Sequence, residues 1–195
     1  SIPERGDRRK LMAQAQRNAV EALERRLAET GTKARLNREL AEFLELDTPP
    51  QRIEVYDNSH IQGAHAVGGM IVAGAEGFLK SQYRKFNIKS DAGKNSDDFG
   101  MMREVLTRRF ERLLKEDPDR NSGMWPDLLL IDGGAGQVSA VAEIMAELGV
   151  DDIPFIGVAK GIDRDHGKEE FHRPGEMPFA LRMISSDKLV VTSSA

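Results

Sequence analysis

LLLIDGG, residues 128–134, and RIEVYDNSH, residues 52–60, decide how this chain is read. Each is a short apolar or β-branched run that ends at an aspartate, Asp132 in the first and Asp57 in the second. Small or turn-forming residues follow each carboxylate. A carboxylate at the end of a strand, facing a loop, is where many α/β folds keep their chemistry. Two such groups on neighbouring strands make a place for a divalent metal, and a metal there points to an enzyme that cuts phosphodiesters.

Outward from these runs the hydrophobic period changes twice. Leu11, Ala15, Ala19, Ala22, Leu23 and Leu27 predict a helix over 7–29, stopped at Gly31. Leu36, Leu40, Phe43 and Leu44 predict a second over 34–46, and Asp47, Thr48, Pro49 and Pro50 break it. Residues 1–50 thus read as a helical arm or linker, and residues 51–195 as the domain it leads into. Beyond Pro50 the pattern predicts strands over 52–56, 66–73 and 78–88, with a hairpin turn at AGAEG, residues 73–77. KSDAGKNS, residues 89–96, is a polar loop. A helix follows from Asp97, with Met102, Leu106, Phe110 and Leu113 along one side and Arg103, Arg108, Arg109 and Arg112 mostly elsewhere. A buried strand over 127–131, a helix over 138–148 and a last strand over 154–159 complete the pattern.

Three strands joined by short turns must be largely antiparallel, whereas strands reached through helices return parallel. The expected fold class is therefore α/β: a ribonuclease H-like mixed sheet of three antiparallel strands, then parallel strands with helices, preceded by an N-terminal helical arm. The step to that named fold is analogy, and fold alone does not fix function.

Composition narrows the function. With 39% hydrophobic and 31% charged residues in 195, the chain has material for one sizeable core and too much charge for a membrane protein. Its apolar runs fall far short of the ~20 residues of a spanning helix, and its charged N-terminus has no signal-peptide character. The absence of cysteine excludes disulfides, cysteine nucleophiles and Cys-ligated zinc, and fits the cytoplasm. Ser1 in place of Met reads as the start of an excised piece. The net charge of -4 argues weakly against nucleic acid, but Lys80 to Lys115 holds ten Lys or Arg against five Asp or Glu. Such a basic segment suits phosphates, although a charge run is also the ordinary dress of a solvated helix face.

In the ribonuclease H-like arrangement Asp57 and Asp132 converge at the sheet edge, where their repulsion calls for a cation. Hard oxygen donors with retained waters suit Mg²⁺ or Mn²⁺. The alternative is that Asp57 opens an Asx-turn and Asp132 caps the next helix. Asp97 and Asp98 start the long helix, either as caps or, for Asp98, as a third carboxylate near the metal. Gly133, Gly134 and Gly136 lack the spacing of a nucleotide loop, so a tight strand-to-helix turn is the simpler reason for them. His60 and His65 read as turn residues, and Lys160 ends the last strand on the same sheet edge as the aspartates.

YDNSHIQG, KSQYRKFNI, DDFGMMREVLTRRF, PDLLLIDGGAGQ and IPFIGVAKG resemble, in order and spacing, the C-terminal half of the UvrC family, the nuclease of bacterial nucleotide excision repair. The similarity runs from about Arg52 to Gly161, and PERGDRRKL resembles the segment leading in. The resemblance implies a metal-dependent endonuclease, cytoplasmic and bacterial, that cuts damaged double-stranded DNA 5′ to the lesion. It implies Asp57, Asp132 and Asp98 as catalytic residues, with Mg²⁺ or Mn²⁺ on Asp57 and Asp132. Arg84, Lys85, Arg108, Arg109 and Lys160 are the candidate DNA contacts. UvrB is the implied partner, mainly through regions outside this chain, and UvrA indirectly; no membrane is involved. The family's catalytic histidine lies in a run resembling RDEAHRFA. This chain has none, and MISSDKLVVTSSA and the surroundings of His166 and His172 depart from the family. The expectation is therefore that the C-terminal helix is missing and that the chain alone is a weak nuclease. Two rivals share the fold: an endonuclease V-type repair nuclease, and a non-catalytic DNA-binding module needing only the basic residues. A doubly wound nucleotide-binding domain rests on DGGAG alone, and the three antiparallel strands argue against it.

Overall fold

Pro49 and Pro50 cannot continue a helix, and the chain divides there into two compact units, Ser1–Pro49 and Pro50–Ala195. The computed structural model describes residues 31–61, 65–93, 97–160, 169–185 and 188–193. Within the first unit the described residues are helical over 31–43, helix α1, so Gly31, expected as a stop, lies inside a helix, and that helix ends at Phe43 rather than at residue 46. The helix expected over 7–29 lies outside the described residues. No helix among the described residues is long and apolar enough to cross a membrane.

In the second unit the strands are β1 (Arg52–Ile61), β2 (His65–Gly74), β3 (Gly77–Phe78), β4 (Arg84–Asn87), β5 (Leu128–Asp132), β6 (Phe155–Lys160), β7 (Glu169–His172), β8 (Phe179–Ser185) and β9 (Lys188–Ser193). Helix α2 (Asp98–Glu116) precedes β5, and α3 (Ala135–Leu148) joins β5 to β6. One sheet runs β3-β2-β1-β5-β6-β7-β8-β9, with β4 also paired to β2. β1 and β2 are antiparallel, while β1–β5 and β5–β6 are parallel because helices intervene. This is the ribonuclease H-like mixed sheet that the element order predicts.

Three details of this sheet differ from the sequence expectation. β1 does not stop at Tyr56 but continues, paired with β2, to Ile61. The single strand expected over 78–88 is interrupted, because a 3-10 turn at Lys80–Gln82 lifts the chain off β2 before β4 returns to it. The strands β8 and β9 were not foreseen, and they pair with each other as an antiparallel hairpin.

Helices α2 and α3 pack on one face of the sheet. Met102, Val105, Leu106, Phe110 and Leu113 of α2 and Val141, Ile144 and Met145 of α3 close over Tyr56, Met70, Val72, Leu129 and Ile131. Asp97 caps α2 by accepting the Gly100 N–H at 3.0 Å. Gly149 ends α3 in the left-handed conformation at φ 68°. The two caps fix where α2 begins and where α3 ends.

Candidate active site

The parallel ladder between β1 and β5 ends at the pair Tyr56–Ile131. The next residue on each strand is an aspartate, Asp57 and Asp132. Adjacent strands lie about 4.8 Å apart, and residues level with one another in a ladder share a face. Alternation puts both aspartates on the face opposite the buried Tyr56 and Ile131, and both are exposed. Asp57 is not at a strand end, as the sequence suggested, but inside the ten-residue β1, still paired with Gly69 of β2. What ends beside it is the pairing with β5. Held in a strand, Asp57 opens no Asx-turn. Nor is Asp132 the cap of α3: that position is Gly134, with no side-chain capping bond.

Asp98, the first residue of α2, completes the set. Asp57, Asp98 and Asp132 line one open cleft of about 610 Å³, together with Asn58, Asp97, Phe99, the turn over 133–134 and the first residues of α3, 135–137. The glycines of that turn have a geometric reason. Gly133 has φ 152°, where an L side chain is strained, and a Cβ there would lie 2.7 Å from the Cβ of Gln137. Its N–H donates to the Val158 carbonyl at 2.9 Å, docking the turn on β6. Gln137 folds back and donates from Nε2 to the Asp98 carbonyl at 3.3 Å. Asn58 donates from Nδ2 to the same oxygen at 3.2 Å.

The donor set suits a hard divalent cation: carboxylate oxygens in an open cleft. Among the described residues no three His, Cys, Asp or Glu side chains are gathered closely enough to cage an ion. His60 and His65 lie in β1 and β2 rather than in a turn, paired there with Ala66 and Ile61.

The candidate DNA contacts separate into two kinds. Arg84 and Lys85 are exposed on β4. Lys85 pairs with Gly69, which pairs with Asp57, so Lys85 stands in the register row of Asp57 with only a glycine between. Arg108 is half-buried, 5.5 Å over the Phe86 ring, with Nη1 donating to the Asn87 carbonyl at 2.9 Å and to Glu104 at 3.1 Å. Lys160 closes β6 opposite Glu169.

Arg109 is of the other kind, and the expectation of a DNA contact there is corrected. Its guanidinium is buried against the fully buried Glu54, with Nη2 donating at 2.6 Å and Nε at 3.2 Å. Nη2 also donates to the Met124 carbonyl at 2.7 Å. Arg52 supplies a second buried cation to Glu54, at 2.9 Å from Nε. The Tyr56 hydroxyl donates to Glu54 at 2.5 Å. Burial lowers the proton affinity of Arg109, but its bonds and charge pairing with Glu54 outweigh that and raise it further. Burial, then the Glu54 charge, pushes the Tyr56 hydroxyl well above its usual range. Both groups therefore keep their protons at any working pH.

Two residues near the carboxylates escaped the sequence reading. Asn58 and Gln137 sit inside the motifs that carry Asp57 and Asp132, which was their only signal. His172 of β7 is buried behind the turn, its Nε2 3.6 Å from where a Gly134 side chain would begin. No sequence motif tied it to that turn.

Comparison with known proteins adds independent findings. The family model of the UvrC RNAse H endonuclease domain matches residues 41–192. The chain is 74% identical over 182 residues to UvrABC system protein C of Cereibacter sphaeroides, covering 93% of this chain and 29% of that protein. It is 70% identical over 181 residues to UvrABC system protein C of Ruegeria pomeroyi, again covering 93% and 29%. The chain thus spans under a third of the length of these relatives. Among solved structures, Ciona intestinalis endonuclease V in complex with an inosine-containing 24mer DNA aligns with a TM-score of 0.41 at 19% identity, over 58% of this chain and 47% of that one.

Proposed function

Since the chain belongs to the UvrC RNase H endonuclease domain family, we propose that it hydrolyses DNA phosphodiesters, making the 5′ incision at damaged sites in bacterial nucleotide excision repair. The observation that carries this reading is that Asp57, Asp98 and Asp132, far apart in sequence, line one cleft. Asp57 and Asp132 would hold Mg²⁺ or Mn²⁺. Such an ion supplies Lewis acidity and offsets the negative charge that builds on the phosphate.

The chain's own residues do the remaining work. Asp98 adds a carboxylate at the cleft wall, where it orients water. Lys85, on the face and in the row of Asp57, takes a phosphate beside the scissile one. Arg84, Arg108 and Lys160 take others, which positions the strand without reading its sequence. Arg109 has no part in this, being committed to Glu54. In this reading UvrB, and through it UvrA, brings the damaged duplex, by contacts mainly outside these residues, and the work takes place in the cytoplasm. In this reading turnover by the chain alone is slow, since its sequence holds no run resembling RDEAHRFA. The family match speaks against the endonuclease V-type alternative.

The test is Mn²⁺ titration by calorimetry on the chain and on Asp57→Asn and Asp132→Asn. Saturable binding that both variants lose, with thermal unfolding unchanged, is expected. Equal Mn²⁺ affinity in all three proteins would refute the assignment.

A further inference from the structure

The three carboxylates come from separate elements: β1, the start of α2, and the end of β5. Nothing in a strand ladder fixes a helix terminus relative to it. At the Asp98 carbonyl the first turn of α2 is met from β1 and from α3, the helix that follows β5. Asn58 reaches it from the residue next to Asp57, and Gln137 reaches it from the first turn of α3, five residues after Asp132.

The amide of Asn58 is oriented for this purpose. Its Oδ1 is buried and has no hydrogen-bond partner among the described residues. Rotating the amide by half a turn would set that oxygen against the Asp98 oxygen, two acceptors facing each other. The observed orientation leaves an acceptor unmet in order to place the donor, which is unfavourable in itself. The surroundings are shaped to the same end. A Cβ on Gly68 would run into Val105 and lie 3.3 Å from Asn58 Oδ1, so the glycine lets Asn58 sit between β2 and α2. Gly133 gives Gln137 the space to fold back, and Gln137 is itself buried.

We propose that Asn58 and Gln137 are positioning residues that clamp the first turn of α2 and thereby set Asp98 against Asp57 and Asp132. The clamp deepens the reading of the cleft as a metal-dependent nuclease site and rests on it for its purpose, although not for its existence. Asn58 and Gln137 donate to main chain and touch no reacting group. Their effect passes through Asp98.

Two measurements on the 195-residue chain test this, with Asn58→Leu and Gln137→Met as near-isosteric variants that cannot donate. The first is amide hydrogen exchange without metal. Gly100, Met101 and Met102 should exchange about tenfold faster in each variant as the turn frays, while Phe110 and Leu113 at the far end of α2 stay protected. A variant that merely loosens the fold would raise exchange along the whole helix and at Leu129 and Ile131, and that pattern would overturn the clamp. So would unchanged exchange in the first turn. The second is Mn²⁺ affinity, expected to fall roughly tenfold in each variant, the low end of what is lost with residues that act on a metal from outside its ligands. In an Asp98→Asn background the same substitutions should cost nothing further. Additive losses there would overturn action through Asp98. If Asp98→Asn itself leaves Mn²⁺ affinity unchanged, the assignment of Asp98 to the site fails and the positioning role with it, even where exchange shows that the clamp exists.

Discussion

Glu54→Gln probes what holds α2 to β1. Glu54 is fully buried, and both cations around it, Arg52 and Arg109, are less than a tenth exposed. The substitution keeps the shape and removes the only anion that the cluster contains. Removing one partner of a buried ion pair costs about 3–5 kcal/mol, because the other charge stays behind unpaired. Here two guanidinium groups stay behind, so the upper half of that range is expected. A domain of this size loses roughly 2–4 °C of Tm per kcal/mol, which puts the shift at roughly 8–20 °C. The unfolding reporter is built in. Trp125 is the single tryptophan, its ring 6.0 Å from Phe110 and 4.4 Å from the Arg120 guanidinium. Its neighbour Met124 gives its carbonyl to Arg109. Urea unfolding followed by tryptophan fluorescence therefore reads the cluster at close range. A loss below about 1 kcal/mol would refute the reasoning, since it would mean that water or another group already relieves the two cations. The triple variant Arg52→Met, Glu54→Leu, Arg109→Met should recover most of the loss, as whole buried ion clusters are often replaceable by apolar side chains. Should Arg109→Met weaken DNA binding while leaving stability intact, Arg109 would return to the list of DNA contacts.

Two further outcomes follow from particular contacts. In Gly157→Ala the new Cβ would run into Val138 of α3 and lie 2.6 Å from the Gly133 carbonyl, an overpacking expected to cost about 1–3 kcal/mol and read as a lower urea midpoint; an unchanged midpoint would show that the turn after Asp132 is free to move away. Burial opposes the charge on Glu104, but the N–H groups of Ser90 and Lys89 and the Arg108 guanidinium outweigh it and hold the carboxyl below its usual range. The contribution of Glu104 is then complete above the ordinary pKa of about 4.3 and disappears as pH falls through the lower native value. The difference in urea midpoint between wild type and Glu104→Gln should accordingly be largest near neutrality and vanish in acid, and a difference that grows on acidification would contradict this sign.

How much of this was legible in the sequence depends on what each side chain had to announce. Asp57 and Asp132 were legible because a carboxylate directly after an apolar run has few structural reasons to be there. Helix α2 was legible as a stripe, but the stripe was read from its apolar members alone. Arg109 lies three residues from Leu106 and four from both Val105 and Leu113, squarely on the buried face. A cation belongs there only if an anion waits on the opposite wall. That anion is Glu54, and it was hidden by the alternation of β1. In RIEVYD, Ile53 and Val55 look like the core-facing pair, with Arg52, Glu54 and Tyr56 turned to solvent. The structure does the reverse: Arg52, Glu54 and Tyr56 are buried, whereas Ile53 and Val55 are only partly so. A strand's two faces cannot be told apart by period alone when the polar set can satisfy itself internally.

The inversion also bears on the chemistry. Had Ile53 and Val55 faced the helices, Asp57 would face them too, beneath α2 and away from water. With Tyr56 and Asn58 on the helix side instead, Asp57 falls on the open face beside Asp132. Asp98 joins them in the same cleft from the first residue of α2. The buried ion cluster toward one end of α2 and the amide clamp at the other are therefore two parts of a single solution. The first fixes which face of β1 meets the helix, and the second fixes where the helix begins.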